Sequence, residues 1–132
     1  MYKISLHDDA KTDLKKILDS DAVSARRIAA VLQEIEGNQD LLDCLTQHDY
    51  GRNRSAPFNV SKWLEFWKKN QDIWRLKIWD LEDKGLRYRI VYAYIRGKKD
   101  YRVLAIVSRS NINYDDPNDP LSERIHAAYK EL

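Results

Sequence analysis

The fold is decided by three short runs in the second half of the chain: IWRLKIW at residues 73–79, LRYRIVYAYI at 86–95 and YRVLAIV at 101–107. Each run is rich in β-branched and aromatic residues, which favour strands. The segments between them, 82–85 and 97–100, have the polar and glycine content of turns. We therefore predict three strands joined as an antiparallel meander.

The first half of the chain has the patterns of one strand followed by two helices. Residues 2–6 alternate between apolar and polar side chains, as in a half-buried strand. Apolar residues then recur at helical spacing in two segments. The first ends at a break at residues 20–21, and the second ends at residues 37–38. Asp8 or Asp9 is expected to cap the first helix. Because the break is short, we expect the two helices to form an antiparallel hairpin.

The remaining segments are less regular, except for the last. Residues 40–45 are expected to form a short helical turn, and 51–57 a polar loop. Two tryptophans four residues apart favour a short helix over 61–69, although aromatic residues also favour strands. The periodicity of residues 121–132 predicts a C-terminal helix. The predicted fold is therefore α+β, with an N-terminal strand and helical hairpin packed on a mainly antiparallel sheet.

Length and composition limit the class of protein. The chain has 132 residues, so we expect a single domain over residues 1–132. Its one cysteine, Cys44, excludes an internal disulfide and is consistent with a reducing cytoplasm. The first ten residues lack a long apolar run, and no stretch of about 20 apolar residues occurs. We therefore expect a cytoplasmic protein with no membrane contact.

Positive charge is concentrated in one part of the chain. Residues 61–110 hold 13 Lys and Arg against 6 Asp and Glu, whereas the segments before and after carry net negative charge. This asymmetry indicates an anionic partner, and a polyanion such as RNA is the obvious candidate. An ordinary domain with unevenly distributed, solvated lysines would give the same pattern, so charge alone does not decide the function.

Alternation along the predicted strands places basic side chains together. Arg75 and Lys77 share one face of the first strand of the meander, and Arg87 and Arg89 share one face of the second. The apolar side chains on the other face can pack on the helices, which leaves the basic set on an open face. Any antiparallel sheet with one solvated face shows alternating polar residues, and acidic residues would suit such a face equally well. Yet none of the polar positions within 75–77 and 87–89 is acidic. Because arginine donates two parallel hydrogen bonds to phosphate, we predict a phosphate-binding surface.

Further residues near these strands are candidates for catalysis or RNA contact. Arg109 follows the third strand where it opens into a loop, and Tyr114 lies five residues later. Trp79 is expected to share the basic face, where it would stack on an RNA base. Lys98 and Lys99 add positive charge in the second turn of the meander, so we include them in the predicted RNA-binding set.

The order of these motifs resembles the RelE toxins of type II toxin–antitoxin systems. The similarity is carried by WRLKI at 74–78, LRYRIVY at 86–92, VLAIVSR at 103–109, Tyr114, and the pattern YKISL followed by Ala10 and Leu14. Members of this family are small, with two N-terminal helices packed on an antiparallel sheet. Their ribosome-dependent members cleave mRNA in the A site without a metal, and a cognate antitoxin holds them inactive. The resemblance implies the same partners here and no cofactor.

The resemblance also implies a role for each matching residue. Arg75 and Lys77 fall on the paired basic positions of the family, and Arg89 falls on its phosphate-contacting arginine. The implied reaction is attack of the ribose 2′-hydroxyl on the adjacent phosphate, which leaves a 2′,3′-cyclic phosphate and a free 5′-hydroxyl. Arg89 and Arg109 would stabilise the charge on the phosphate. Lys77 or Tyr114 would act as the base, because clustered cations shift the pKa of either group in the required direction.

Two alternatives share the expected fold. A ParE-like protein would inhibit DNA gyrase by binding and would cut nothing, and a non-catalytic interaction module would also lack activity. ParE-like members generally lack the basic and tyrosine set, so Arg89, Arg109 and Tyr114 favour cleavage. Some RelE relatives use a late histidine as base, and His126 is the residue that would correspond to it. We expect His126 to lie at the surface of the last helix instead.

Overall fold

The structure is a computed structural model that describes residues 3–95, 97–98, 100–112, 116 and 118–132. Within these ranges the chain has an α+β fold with five strands and six α-helices. The strands are β1 (Lys3–Leu6), β2 (Phe58–Lys62), β3 (Ile73–Ile78), β4 (Tyr88–Ile95) and β5 (Asp100–Ser108). The helices are α1 (Asp8–Ser20), α2 (Ala22–Glu36), α3 (Gln39–Asp43), α4 (Leu64–Trp67), α5 (Trp79–Asp83) and α6 (Pro120–Lys130). None of these helices is long and apolar enough to cross a membrane.

The five strands form one mixed sheet in the order β1-β5-β4-β3-β2. The pairs β3–β4 and β4–β5 are antiparallel, which confirms the predicted meander. β1 pairs in parallel with β5, so the N-terminal strand forms one edge of the sheet. β2 pairs antiparallel with β3 at the other edge, and this strand was not predicted. The predicted helix over 61–69 is therefore wrong in its first part, because 61–62 belong to β2 and the helix is only the single turn of α4.

The N-terminal helices begin and end close to the predicted positions, with one correction. His7, and not Asp8 or Asp9, caps α1, since its Nδ1 accepts a hydrogen bond of 3.1 Å from the backbone N–H of Asp9. Asp21 ends α1 and caps α2, with its carboxylate accepting from the backbone N–H of Ser24 at 3.2 Å. α1 packs against both α2 and β5, so the helical pair covers one face of the sheet.

Each face of the sheet packs against its own hydrophobic core. On the first face, α1 and α2 pack on Leu76, Ile90 and the apolar residues beside them. On the second face, Ile125 of α6 and the aromatic residues Trp63 and Phe66 pack against the sheet. The expectation that the second face is open is therefore wrong for the part of it that α4 and α6 cover. Apolar residues of β3, β4 and β5 contribute to this second core, namely Ile73, Val91, Ala93, Leu104, Ala105 and Val107.

An ion pair with a buried carboxylate joins α1 to α6 beside β5. Asp13 is nearly inaccessible, and both of its carboxylate oxygens accept hydrogen bonds from the guanidinium of Arg124, at 3.0 and 2.6 Å. One of these oxygens also accepts from the backbone N–H of Ile106 at 3.0 Å. Because a buried carboxylate needs several donors, this arrangement fixes the position of α6 on the second face of the sheet.

Candidate functional site

An open cavity of about 170 Å³ lies on the second face of the sheet, beyond the part that the C-terminal helix covers. It is lined by Asn59 and Ser61 of β2, Arg75 and Lys77 of β3, Arg89 of β4, and Arg109 just after β5. No acidic side chain belongs to this lining among the residues that the structure describes. The structure thus brings four of the predicted cationic residues into one place.

Strand alternation explains why Arg75 and Lys77 reach the same cavity. β3 buries Trp74, Leu76 and Ile78 in the core on the first face, so the residues between them point to the second face. The guanidinium of Arg75 is held in place on two sides. It lies 5.7 Å from the centre of the Trp63 ring and donates to the carbonyl oxygen of Lys62 at 3.5 Å.

Arg89 enters the cavity as part of an ion pair with Glu82. Its Nη1 donates to Glu82 Oε1 and also, at 3.0 Å, to the carbonyl oxygen of Tyr88. Only 13% of the Arg89 side chain and 16% of the Glu82 side chain are exposed. Residues 82–85 were predicted to form a turn, but Glu82 lies in α5 and the turn contains only Lys84 and Gly85. The short helix is what carries the carboxylate back to Arg89, seven residues further along the chain.

Lys77 lies in surroundings that disfavour its charged form. Burial lowers the pKa of its amine, and the positive charge of Arg89 lowers it further, with smaller contributions from Arg75 and Arg52. The carboxylate of Glu82 acts in the opposite direction and raises this pKa, although the net change is downward. A larger fraction of Lys77 is therefore neutral, and able to accept a proton, than of an ordinary surface lysine.

Trp79 begins α5 and does not extend β3 as predicted, yet it still lies beside Lys77. The Lys77 amine is 4.8 Å from the centre of the indole ring, and the guanidinium of Arg54 is 4.5 Å from it. The indole N–H donates to the carbonyl oxygen of Gly51 at 2.8 Å. Gly51 has φ +77°, and a Cβ there would lie 1.9 Å from the carbonyl oxygen of Phe58, so only glycine fits this close approach.

Arg109 and Arg87 are joined through their backbones but differ in position. The backbone N–H of Arg109 donates to the carbonyl oxygen of Arg87 at 2.7 Å. The guanidinium of Arg109 donates to the carbonyl oxygen of Ile112 at 3.3 Å. Arg87 was predicted to share the basic face with Arg89. Because β4 begins only at Tyr88, Arg87 lies before the strand, is exposed, and does not line the cavity.

The other predicted residues lie outside the cavity or outside the described residues. Tyr114 and Lys99 belong to the latter group. Lys98 is exposed in the turn after β4, whereas Arg89 is at the start of that strand, so the length of β4 separates Lys98 from the cavity. His126 is half-buried on α6, with its Nδ1 2.9 Å from Gln71 Oε1, and burial lowers its pKa.

Asn59 and Ser61 are the lining residues that sequence reasoning missed. They are alternate residues of β2, opposite Lys77 and Arg75 respectively. The segment FNVSK does alternate, which is the signal that would have predicted a strand. The helical spacing of Trp63 and Trp67 just after it pointed to a helix and concealed this pattern.

Comparison of the chain with family models, curated proteins and solved structures finds no match in any of the three. Among the described residues, no group of three or more His, Cys, Asp or Glu side chains is placed to hold a metal ion. What the fold and the site define is an α+β protein with a cationic cavity on a mixed sheet.

Proposed function

We propose that the protein is an mRNA endoribonuclease of the RelE type, which cleaves mRNA on the ribosome without a metal and is held inactive by a cognate antitoxin in the cytoplasm. The observation that carries this proposal is the convergence of Arg75, Lys77, Arg89 and Arg109 on one small cavity. Cations this close repel one another. Glu82 offsets the charge of Arg89, and a bound phosphate relieves the repulsion that is left. RNA offers a phosphate at every nucleotide.

The cavity has the donors for a phosphodiester, and it is small. Its volume of about 170 Å³ is below the roughly 300–1,000 Å³ of usual small-molecule sites, so it suits a phosphodiester group and not a whole nucleotide. Arginine suits the developing charge on a phosphate because its planar fork donates two hydrogen bonds at once. In the proposed reaction Arg89 and Arg109 stabilise the additional charge that forms as the 2′-oxygen attacks phosphorus.

The lowered pKa of Lys77 supports its role as the base. A neutral amine can take the proton of the 2′-hydroxyl, and burial together with Arg89 increases the neutral fraction. The bond from the 2′-oxygen to phosphorus then forms, and the bond from phosphorus to the 5′-oxygen breaks. The 5′-oxygen takes up a proton from water and leaves as the 5′-hydroxyl. Tyr114 is the alternative base proposed from the sequence, and it lies outside the described residues.

The arrangement of the fold agrees with the proposal. An N-terminal strand, a pair of helices and an antiparallel meander occur in the order expected from the resemblance to the RelE toxins. The cationic cavity lies on the sheet face opposite α1 and α2, so these helices leave the cavity open to a large partner such as a ribosome. An antitoxin that inserts an acidic segment into the same cavity would block access to RNA.

A cell-free translation assay tests the proposal. A defined mRNA is translated with purified protein, and its cleavage sites and 3′ ends are mapped. We expect cuts within the A-site codon and 2′,3′-cyclic phosphate ends, in the presence of ribosomes and unaffected by EDTA. Intact mRNA would contradict the proposal, and replication arrest in cells with intact mRNA would favour gyrase inhibition instead.

Arg109→Ala provides the sharpest variant for this assay. Removing a group that stabilises the charged transition state costs about 100- to 1,000-fold in rate, so cleavage should fall by that amount. Arg87→Ala is the matched control, since Arg87 is an exposed arginine outside the cavity whose backbone contacts Arg109. Equal loss of activity in both variants would show that the cavity is not the site of the reaction.

A further inference from the structure

Asn59 is a buried polar residue in the cavity that the mechanism above does not use. Its side chain is on β2 directly opposite Lys77, and only 8% of the residue is exposed. Its Nδ2 donates to the carbonyl oxygen of Tyr50 at 2.9 Å. A carbonyl only accepts, so this contact fixes which end of the amide is the nitrogen.

The amide oxygen of Asn59 is therefore the atom left for a ligand. Within the described part of the chain, this oxygen accepts no hydrogen bond, although the residue lines the cavity. The oxygen is not enclosed by the protein, so a ligand that enters the cavity and excludes solvent from it must supply a donor in place of water. The missing group must be a donor, an O–H or N–H.

A phosphate alone does not meet this requirement. An ionised phosphate presents acceptor oxygens only, which suit the four cationic side chains but not an amide oxygen. A ribonucleotide provides both groups, because its 2′-hydroxyl is a donor on the carbon next to the one that carries the 3′-phosphate. The 2′-hydroxyl is also the group by which proteins distinguish RNA from DNA.

We propose that Asn59 determines specificity for ribonucleotides by accepting a hydrogen bond from the 2′-hydroxyl beside the bound phosphate. The proposal rests on the proposed function, for which it names the group that selects the substrate. Asn59 and Lys77 are paired across β2 and β3 and both line the cavity, so one ribose held there can contact both residues. While Lys77 is charged it can only donate to the 2′-oxygen, so the hydroxyl hydrogen needs Asn59 as its acceptor.

Two small nucleotides test this inference without any cleavage. Uridine 3′-monophosphate and 2′-deoxyuridine 3′-monophosphate are titrated into the protein and followed by NMR, at about pH 8 so that the phosphate is fully ionised. We expect the ribonucleotide to bind roughly two- to tenfold more tightly, the value of one hydrogen bond. Equal affinities of the wild-type protein for the two nucleotides would overturn the inference.

Variants test whether Asn59 is the source of the preference for the ribonucleotide. Asn59→Leu, which keeps the approximate size of the side chain but removes its oxygen, should abolish the preference while phosphate binding remains. Asn53→Leu is the matched control, because it removes an exposed amide outside the cavity, and we expect it to leave the preference unchanged. Thermal unfolding verifies that each variant is folded, because Asn59→Leu also loses the hydrogen bond to Tyr50. If folded Asn59→Leu still prefers the ribonucleotide, Asn59 does not select it.

The two proposals fail in different ways. Ribosome-dependent cleavage together with equal nucleotide affinities would preserve the proposed function and overturn the role of Asn59. A preference that depends on Asn59 in a protein that leaves mRNA intact would overturn the nuclease and preserve the ribonucleotide site.

Discussion

The two ends of the second sheet face are built from the same strands but have opposite chemistry. At one end, Ile73 and Ala93 lie in an apolar core with Ile125 of α6. At the other end, β3 and β4 carry Lys77 and Arg89 into the cationic cavity. The strands are continuous between the two ends, so a rigid core holds the cations in place. A sheet face of this kind can therefore support a charged site that would not be stable by itself.

The largest effect that separates the two ends is expected from Ile125→Ala. Ile125 is fully buried in the apolar core of the second face. Large-to-small substitutions at such positions cost about 2–5 kcal/mol, so the free energy of unfolding should fall by that amount in a denaturant titration. Nucleotide binding well below the unfolding transition should stay the same, because α6 does not line the cavity.

Leu64→Ala is the matched control for this prediction. It truncates a large apolar side chain on α4, but 58% of Leu64 is exposed. Changes at exposed positions usually remain within about 0.5 kcal/mol. If Ile125→Ala abolished phosphate binding in a protein that is still folded, the two ends would be coupled and the separation described above would be wrong.

The contrast between the ends also explains what the sequence could predict. The meander and the N-terminal helices follow from local periodicity, which is why the basic faces of β3 and β4 were predicted correctly for Arg75, Lys77 and Arg89. Coverage of the second face was missed because the position of α6 depends on the ion pair of Asp13 and Arg124, which are 111 residues apart. No local pattern contains such a contact.

The details of the site were less predictable than the strands themselves. α5 is five residues long, too short for an amphipathic pattern, and burial of Leu81 in the core anchors it. Its formation moved Trp79 out of β3 and placed Glu82 against Arg89. β2 added Asn59 through strand pairing and not through any motif. These contacts are tertiary, and a strand pattern predicts which face a side chain occupies but not which neighbours it meets.

Glu82→Gln tests the electrostatics of the cationic end, and we expect a moderate change in the pKa of Lys77. Glu82 raises the pKa of Lys77, while burial and neighbouring arginines lower it. Removing the carboxylate should therefore lower this pKa further, since the charged amine loses a favourable neighbour. The pKa of Lys77 can be followed by NMR of its side chain, and the rising limb of the pH–rate profile for cleavage should move to lower pH in parallel.

Asp83→Asn serves as the matched control, because Asp83 is the next residue of α5 and pairs with Arg54 at 2.8 Å outside the cavity. We expect it to leave the titration of Lys77 unchanged. A pKa that rises in Glu82→Gln, or that moves equally in both variants, would show that the ion pair with Arg89 does not set the electrostatics of the site.

The smallest expected effect is a gain of stability in Lys77→Met. The pKa of Lys77 is lower in the folded state than the value of about 10.4 for an unfolded chain. Below the folded-state pKa the amine is charged in both states, and the folded state then carries the full penalty of burial and repulsion. As the pH rises through the interval between the two values, the folded protein loses its proton first and the penalty disappears.

Lys77→Met should therefore be more stable than the wild-type protein at neutral pH, and this gain should vanish as the pH approaches the unfolded-state pKa. Because the lysine is partly solvated, we expect a gain below about 1 kcal/mol, measured by denaturant titration across this pH range. A gain that is independent of pH would come from the packing of the methionine alone. A loss of stability at neutral pH would show that the cations of the cavity do not repel one another enough to demand an anion, which is the physical basis of the contrast between the two ends.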